Sequence, residues 1–141
     1  MDRDYLKYWR VISYFIKSKY NLTQAQLDTL LFLKSEPYFS RDTFKKFNEL
    51  LSWNQRRFDI LLRDGWIQVF RKRMGQTKAL YQLSYKSERL LKSIYDKLEG
   101  AEIPSSLSGN PLFHKNVPYT HKVYRNMIIE MNKKIRRDRL K

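Results

Sequence analysis

Two short stretches of this chain carry side chains suited to reading a polyanion. Ser52-Trp53-Asn54-Gln55-Arg56-Arg57 is one, and Arg71-Lys72-Arg73-Met74-Gly75-Gln76-Thr77-Lys78 is the other. An arginine can hold both acceptors of a guanine edge, Asn or Gln can pair with adenine, and an apolar group can rest on a thymine methyl. Lysines and arginines at a loop tip neutralise phosphates without regard to sequence. Each residue also has a plainer reading, and both stay open here. Gln55 can close a capping box with Ser52, Trp53 can pack back on Phe47 or Leu51, and Arg71-Lys72-Arg73 can be a solvated face.

Other chemistries are excluded by composition. The chain has no cysteine and two histidines, His114 and His121, so thiol redox chemistry, Cys-zinc sites and a His-based metal site lack ligands. No nucleophile motif, paired-carboxylate constellation or phosphate-binding glycine loop is visible, and the expectation is a non-enzyme without cofactor. The longest apolar run, Leu30-Leu31-Phe32-Leu33, is far short of a membrane span, and the N-terminus lacks the apolar core of a signal peptide. Lys plus Arg number 29 against 14 Asp plus Glu, a net +15. That surplus argues for a polyanionic partner. It is concentrated in two blocks, +6 over residues 41–80 and +7 over 114–141, with neutral residues 81–113 between.

The elements that must position these side chains follow from periodicity. A first helix is expected from about Asp4 to Lys19, with Tyr5, Tyr8, Trp9, Ile12, Phe15 and Ile16 on one face. Thr23 and Gln26 form a capping box that opens a second helix at Gln24, ending before Pro37. Ser40 opens a third, carrying Phe44, Phe47 and Leu50. A fourth carries Phe58, Leu61 and Leu62 and stops at Gly65, giving a helix-turn-helix with its second helix at about 53–64. The period then changes to two: residues 66–83 read as a β-hairpin turning at Met74-Gly75-Gln76-Thr77. Ser84 caps a helix with Leu90, Leu91, Ile94, Tyr95 and Leu98, ending at Gly100. Residues 101–118 form an irregular linker or packed loop. A basic helix capped by Thr120 starts near His121, with Val123, Met127, Met131 and Ile135 at i+4 steps and Ile128 beside them.

This order makes the chain mainly α with a small β wing: a winged helix-turn-helix over residues 1–100 with extra terminal helices. On a helical wheel centred on Phe58, Leu61 and Leu62, the opposite face holds Trp53, Arg56, Arg57, Ile60 and Arg63, with Asn54 and Gln55 in the first turn. Leu22-Thr23-Gln24-Ala25-Gln26-Leu27, Leu61-Leu62-Arg63-Asp64-Gly65-Trp66-Ile67 and Leu83-Ser84-Tyr85-Lys86-Ser87 resemble three landmark stretches of MarR-type transcriptional regulators. The resemblance spans roughly residues 5–100. It implies a homodimer held by the terminal helices on pseudo-palindromic DNA. Where the family wing carries Asp-x-Arg, this chain has Gly75 and Thr77, so Arg73 or Lys78 must substitute for the wing arginine; Ser87 stands where a glycine is common.

The expectation is therefore a regulator specific for double-stranded DNA, in the cytoplasm of a bacterial or phage-host cell, associated with the nucleoid. Arg41, Ser52, Trp53, Asn54, Gln55, Arg56 and Arg57 are the helix-turn-helix contacts. Arg71, Lys72, Arg73, Gln76, Thr77 and Lys78 are the wing contacts, on backbone or minor groove. Trp9, Ile12, Ile94, Met127 and Met131 are the dimerisation candidates, and residues 119–141 a dimerisation element. The competing reading is a winged-helix module in a larger assembly, holding nucleic acid nonspecifically or docking on an acidic protein.

Overall fold

A computed structural model describes residues 4–43, 45–46 and 55–140 of the chain. It divides into two compact units: Thr23–Lys92, and Met1–Leu22 together with Ser93–Lys141.

Tyr5–Tyr20 form α1, which belongs to the other unit, and the first element of the central unit is α2, Gln24–Leu33. Its capping box is formed as expected. The Gln26 amide donates to Thr23 Oγ1 at 3.1 Å and the Thr23 amide to Gln26 Oε1 at 2.9 Å. Leu27, Leu30 and Leu33 are buried. Residues 41–43 and 45–46 are helical, and the predicted cap Ser40 donates its amide to Thr43 Oγ1 at 3.2 Å. Phe44, Phe47, Leu50 and the predicted turn into the next helix lie outside the described residues.

Helix α3, Gln55–Arg63, buries Phe58 and Leu61. It ends on Gly65 at φ +81, with the Gly65 amide bonded to the Leu62 carbonyl and the Trp66 amide to the Leu61 carbonyl. That pair of bonds is the Schellman motif, which is why a glycine is needed there. Strands β1 (Ile67–Arg71) and β2 (Leu80–Leu83) pair antiparallel, Ile67 with Leu83 and Val69 with Tyr81. A register shift between Val69 and Arg71 bends the ribbon, and only Ile67 of β1 is buried. The tip closes by mutual backbone bonds between Met74 and Thr77, with Gly75 at φ +58. One further pairing has no counterpart in the periodicity: Phe39 and Tyr81 exchange backbone bonds of 2.9 and 2.7 Å, adding a one-residue bridge alongside β2. Helix α4, Tyr85–Leu98, is capped by Ser84, whose Oγ accepts the Ser87 amide at 3.3 Å. Helix, helix, helix, hairpin, helix is the winged-helix order that the sequence predicts.

In the other unit, α1 (Tyr5–Tyr20) starts on the Asp4 carboxylate, which accepts the Lys7 amide at 3.1 Å. Its buried face is Tyr8, Val11, Ile12, Phe15 and Ile16, while Tyr5 is exposed and Trp9 half-buried. α4 ends at Gly100, φ +107, again with Schellman bonds, from Gly100 to Lys97 and from Ala101 to Asp96. Within residues 101–118, Ile103 and Leu112 are buried, and a 3-10 turn, Pro111–Phe113, is capped by the Asn110 side chain.

The last helix, α5, corrects two expectations. It runs Tyr119–Arg139, capped by Pro118 with no side-chain bond, so Thr120 lies in its first turn and is not its cap. Proline's fixed φ already suits the approach to a helix. Its buried residues are Ile128, Met131, Asn132 and Ile135, so the expected stripe holds only in its second half; Met127 is half-buried and Val123 is exposed. Steps of four residues drift by about 40° each, so Val123 and Ile135 end about 120° apart on the helix. The buried Asn132 is satisfied by the backbone of one residue: its Oδ1 accepts the Ile103 amide at 3.0 Å and its Nδ2 donates to the Ile103 carbonyl at 2.8 Å.

Candidate nucleic-acid interface

Helix α3 is fixed from one side. The Phe58 ring is buried and meets Tyr81 of β2 edge-on, centroids 4.8 Å apart and planes at 82°. The Arg41 guanidinium lies 4.3 Å from the Phe58 centroid and donates to Asp59 Oδ1 at 2.9 Å. At the C-terminal end, Lys86 donates to the Asp64 carbonyl at 3.2 Å, where a cation suits the helix dipole, and sits 3.8 Å from the Trp66 centroid. The hydroxyls of Ser84 and Ser87 both donate to the Trp66 carbonyl, which gives Ser87 a structural task where the resemblance implies a glycine.

With that face held, the other is open. Arg56 is exposed, Arg57 and Ile60 are half-buried, and Arg63 is exposed and paired with Asp64 at 3.0 Å. Gln55 is the first residue of α3; Ser52, Trp53 and Asn54 lie outside the described residues. Arg41 differs from what its residue type suggested. Its guanidinium is engaged inside the unit, offsetting Asp59, an exposed acid on α3.

The wing presents Arg71, Lys72, Arg73, Gln76, Thr77 and Lys78, all exposed. Two arginines brace its main chain: Arg71 donates to the Lys78 carbonyl at 3.2 Å and Arg73 Nε to the Gly75 carbonyl at 3.1 Å. Lys72 has no ion pair among the described residues. Lys78 is paired with Asp42, which Lys45 also approaches at 3.7 Å. The Lys78 hydrogen bond and charge hold the Asp42 carboxyl below its ordinary range. An open cleft of about 460 Å³ lies between Ser40, Arg41, Asp42 and Lys45 on one side and the wing on the other.

The dimerisation candidates divide. Ile12, Ile94 and Met131 are buried in the chain's own core, while Trp9 and Met127 are half-buried. The basic tail of α5 is partly neutralised, since Glu102 takes Arg136 at 2.7 Å and Arg139 at 3.2 Å. These two arginines, led by the Arg136 hydrogen bond, lower the Glu102 pKa. His121, which the sequence left without a task, has Nδ1 2.7 Å from the Tyr14 hydroxyl. The Tyr14 ring stacks on Tyr124 at 3.8 Å.

Among the described residues no group of His, Cys, Asp and Glu could hold a metal ion, and no helix is long and apolar enough to cross a membrane. No protein-family model matches the chain, and no curated protein sequence does. Among solved structures, the chain is similar to a cysteine-to-serine mutant of MarR from E. coli complexed with operator DNA. The two share 14% identity over 89% of this chain and 84% of that one, with a TM-score of 0.47.

Proposed function

We propose that this chain is a sequence-specific regulator that binds double-stranded DNA, with α3 in the major groove and the wing on the backbone or minor groove. One observation carries the reading: α3 is fastened by Phe58, Leu61 and Lys86, while Arg56 and the wing cations Arg71, Lys72 and Arg73 stand exposed in the same unit. A first-turn arginine is placed to reach base edges when a helix enters the groove N-terminus first, and a cationic hairpin adds phosphate contacts. Selection from a random duplex pool tests it. Enrichment of a motif supports specific readout; retention without enrichment supports the nonspecific module instead.

The proposal includes a homodimer. Tyr5 and Leu6 of α1 and Tyr119 of α5 are exposed, 48%, 84% and 80%, and Trp9 and Met127 are half-buried. These, rather than the core residues Ile12, Ile94 and Met131, are what a second copy would cover. Sedimentation at micromolar concentration should give twice the chain mass of 17.3 kDa. A monomer there removes the dimer, and with it any requirement for a two-fold operator.

A further inference from the structure

We infer that the cleft under the wing is a seat for a backbone phosphate of the duplex, and that Asp42 occupies its cations until that phosphate arrives. The inference rests on the duplex-binding reading above and adds to it a residue that sets affinity from within the basic face.

The cleft is lined by Ser40, Arg41, Asp42, Lys45, Arg73 and Lys78, among others, and Asp42 is the single carboxylate among its described lining residues. Its two partners differ in origin. Lys45 is three residues along the same helical stretch, whereas Lys78 comes from the wing, 36 residues away. The pair is open to water, with Lys78 exposed by 70% and Asp42 by 43%. Ion pairs this exposed contribute little net stability, so exchange of one anion for another costs little. A phosphodiester presents two anionic oxygens that can take both ammonium groups, and Arg73 lines the same cleft with its Nε engaged on the Gly75 carbonyl. Arg41 is not exchangeable in this way, because Asp59 and the Phe58 ring hold it. The cleft thus has one fixed cationic wall and two cations on loan to Asp42.

The consequence is a carboxylate that weakens duplex binding. In the parent the displaced Asp42 carboxylate stays in the cleft and cancels one of the two ammonium charges that the phosphate takes, so Asp42→Asn adds one net positive charge at that contact. The salt dependence then steepens by about 0.9 in log K against log salt, so the gain over the parent changes about 3.5-fold between 50 and 200 mM salt. Duplex affinities of the parent, Asp42→Asn, Asp42→Glu, Lys78→Ala and the Asp42→Asn/Lys78→Ala double variant are measured across that range. The expected result is tighter binding and a steeper slope for Asp42→Asn, parent-like behaviour for Asp42→Glu, and loss of the gain in the double variant. A merely structural pair would leave the slope unchanged or weaken binding, and either result overturns the inference. Asp42 is exposed enough that the melting temperature should stay within about 2 °C of the parent. Retention on inorganic polyphosphate separates the two readings. If the parent ignores duplex DNA but Asp42→Asn gains polyphosphate binding through Lys78, the seat stands and the DNA reading falls. If the parent binds duplex and Asp42→Asn changes nothing, the DNA reading stands and the seat falls. No response to either polyanion removes both.

Discussion

Replacing Arg56 by alanine separates base readout from charge. Arg56 is exposed, and no ion pair holds it among the described residues, so its loss should leave folding within about 0.5 kcal/mol of the parent. If its guanidinium takes two acceptors of a guanine, the cost on the preferred site is about 1–3 kcal/mol, or roughly 5- to 150-fold in Kd. Lys72→Ala is the matched control: also exposed, also one positive charge, but on the wing. It should weaken preferred and scrambled duplexes alike. Arg41→Ala is a third case. It strips the cation from the Phe58 ring and removes a charged partner of Asp59 on α3. It should therefore lower stability by about 0.5–1 kcal/mol and weaken binding to all sequences. Titrations on selected and scrambled duplexes at one fixed salt concentration, with thermal melts of each variant, distinguish the three. Equal losses from Arg56→Ala on both duplexes would refute base readout by this residue.

Asn132→Ala should lower stability by about 2–4 kcal/mol, measured by denaturant unfolding, because it leaves the buried amide and carbonyl of Ile103 without partners. Gly65→Ala should cost about 1–2 kcal/mol through the left-handed backbone alone, since an added Cβ meets nothing within 4 Å; a loss near zero would mean that the helix end rearranges. Glu102 ionises more readily in the folded chain than the ordinary carboxylate, so its pairs with Arg136 and Arg139 stabilise above the ordinary carboxylate range. The melting-temperature gap between the parent and Glu102→Gln should therefore be full above the ordinary carboxylate range and close below it, as acid protonates the folded carboxyl.

What the sequence made legible was local. Thr23 with Gln26, Ser84, Gly65 and Gly100 announce helix ends because a cap is made by residues three to five apart. Met74 and Thr77 announce the hairpin tip for the same reason. The Phe39–Tyr81 pairing spans 42 positions and a single residue, too short for any alternation to register. Asn132 reads as a solvent-facing helical residue until the Ile103 backbone is folded against it. At the candidate interface, the exposed cations were visible in residue type alone. The acids that restrain them were not: Asp59 pairs with Arg41 across 18 positions and Asp42 with Lys78 across 36, and neither separation carries a sequence signal.

Those acids change what the charge count means. Residues 41–80 carry a net +6, which suggests a uniformly basic surface. The fold assigns the carboxylates unevenly, Asp59 to Arg41, Asp64 to Arg63, and Asp42 to Lys45 and Lys78. Among the described residues, Lys46, Arg56 at the start of α3, and Arg71, Lys72 and Arg73 on the wing keep exposed charge without a carboxylate partner. The positive field is therefore concentrated at a few positions of one unit, α3 and the wing chief among them, instead of being smeared over it. A uniformly basic face would hold any polyanion in many registers. Two separated cationic points, one on a rigid helix and one on a hairpin braced by Arg71 and Arg73, favour a ligand whose anionic sites have a fixed spacing, as the phosphates and groove edges of a duplex do.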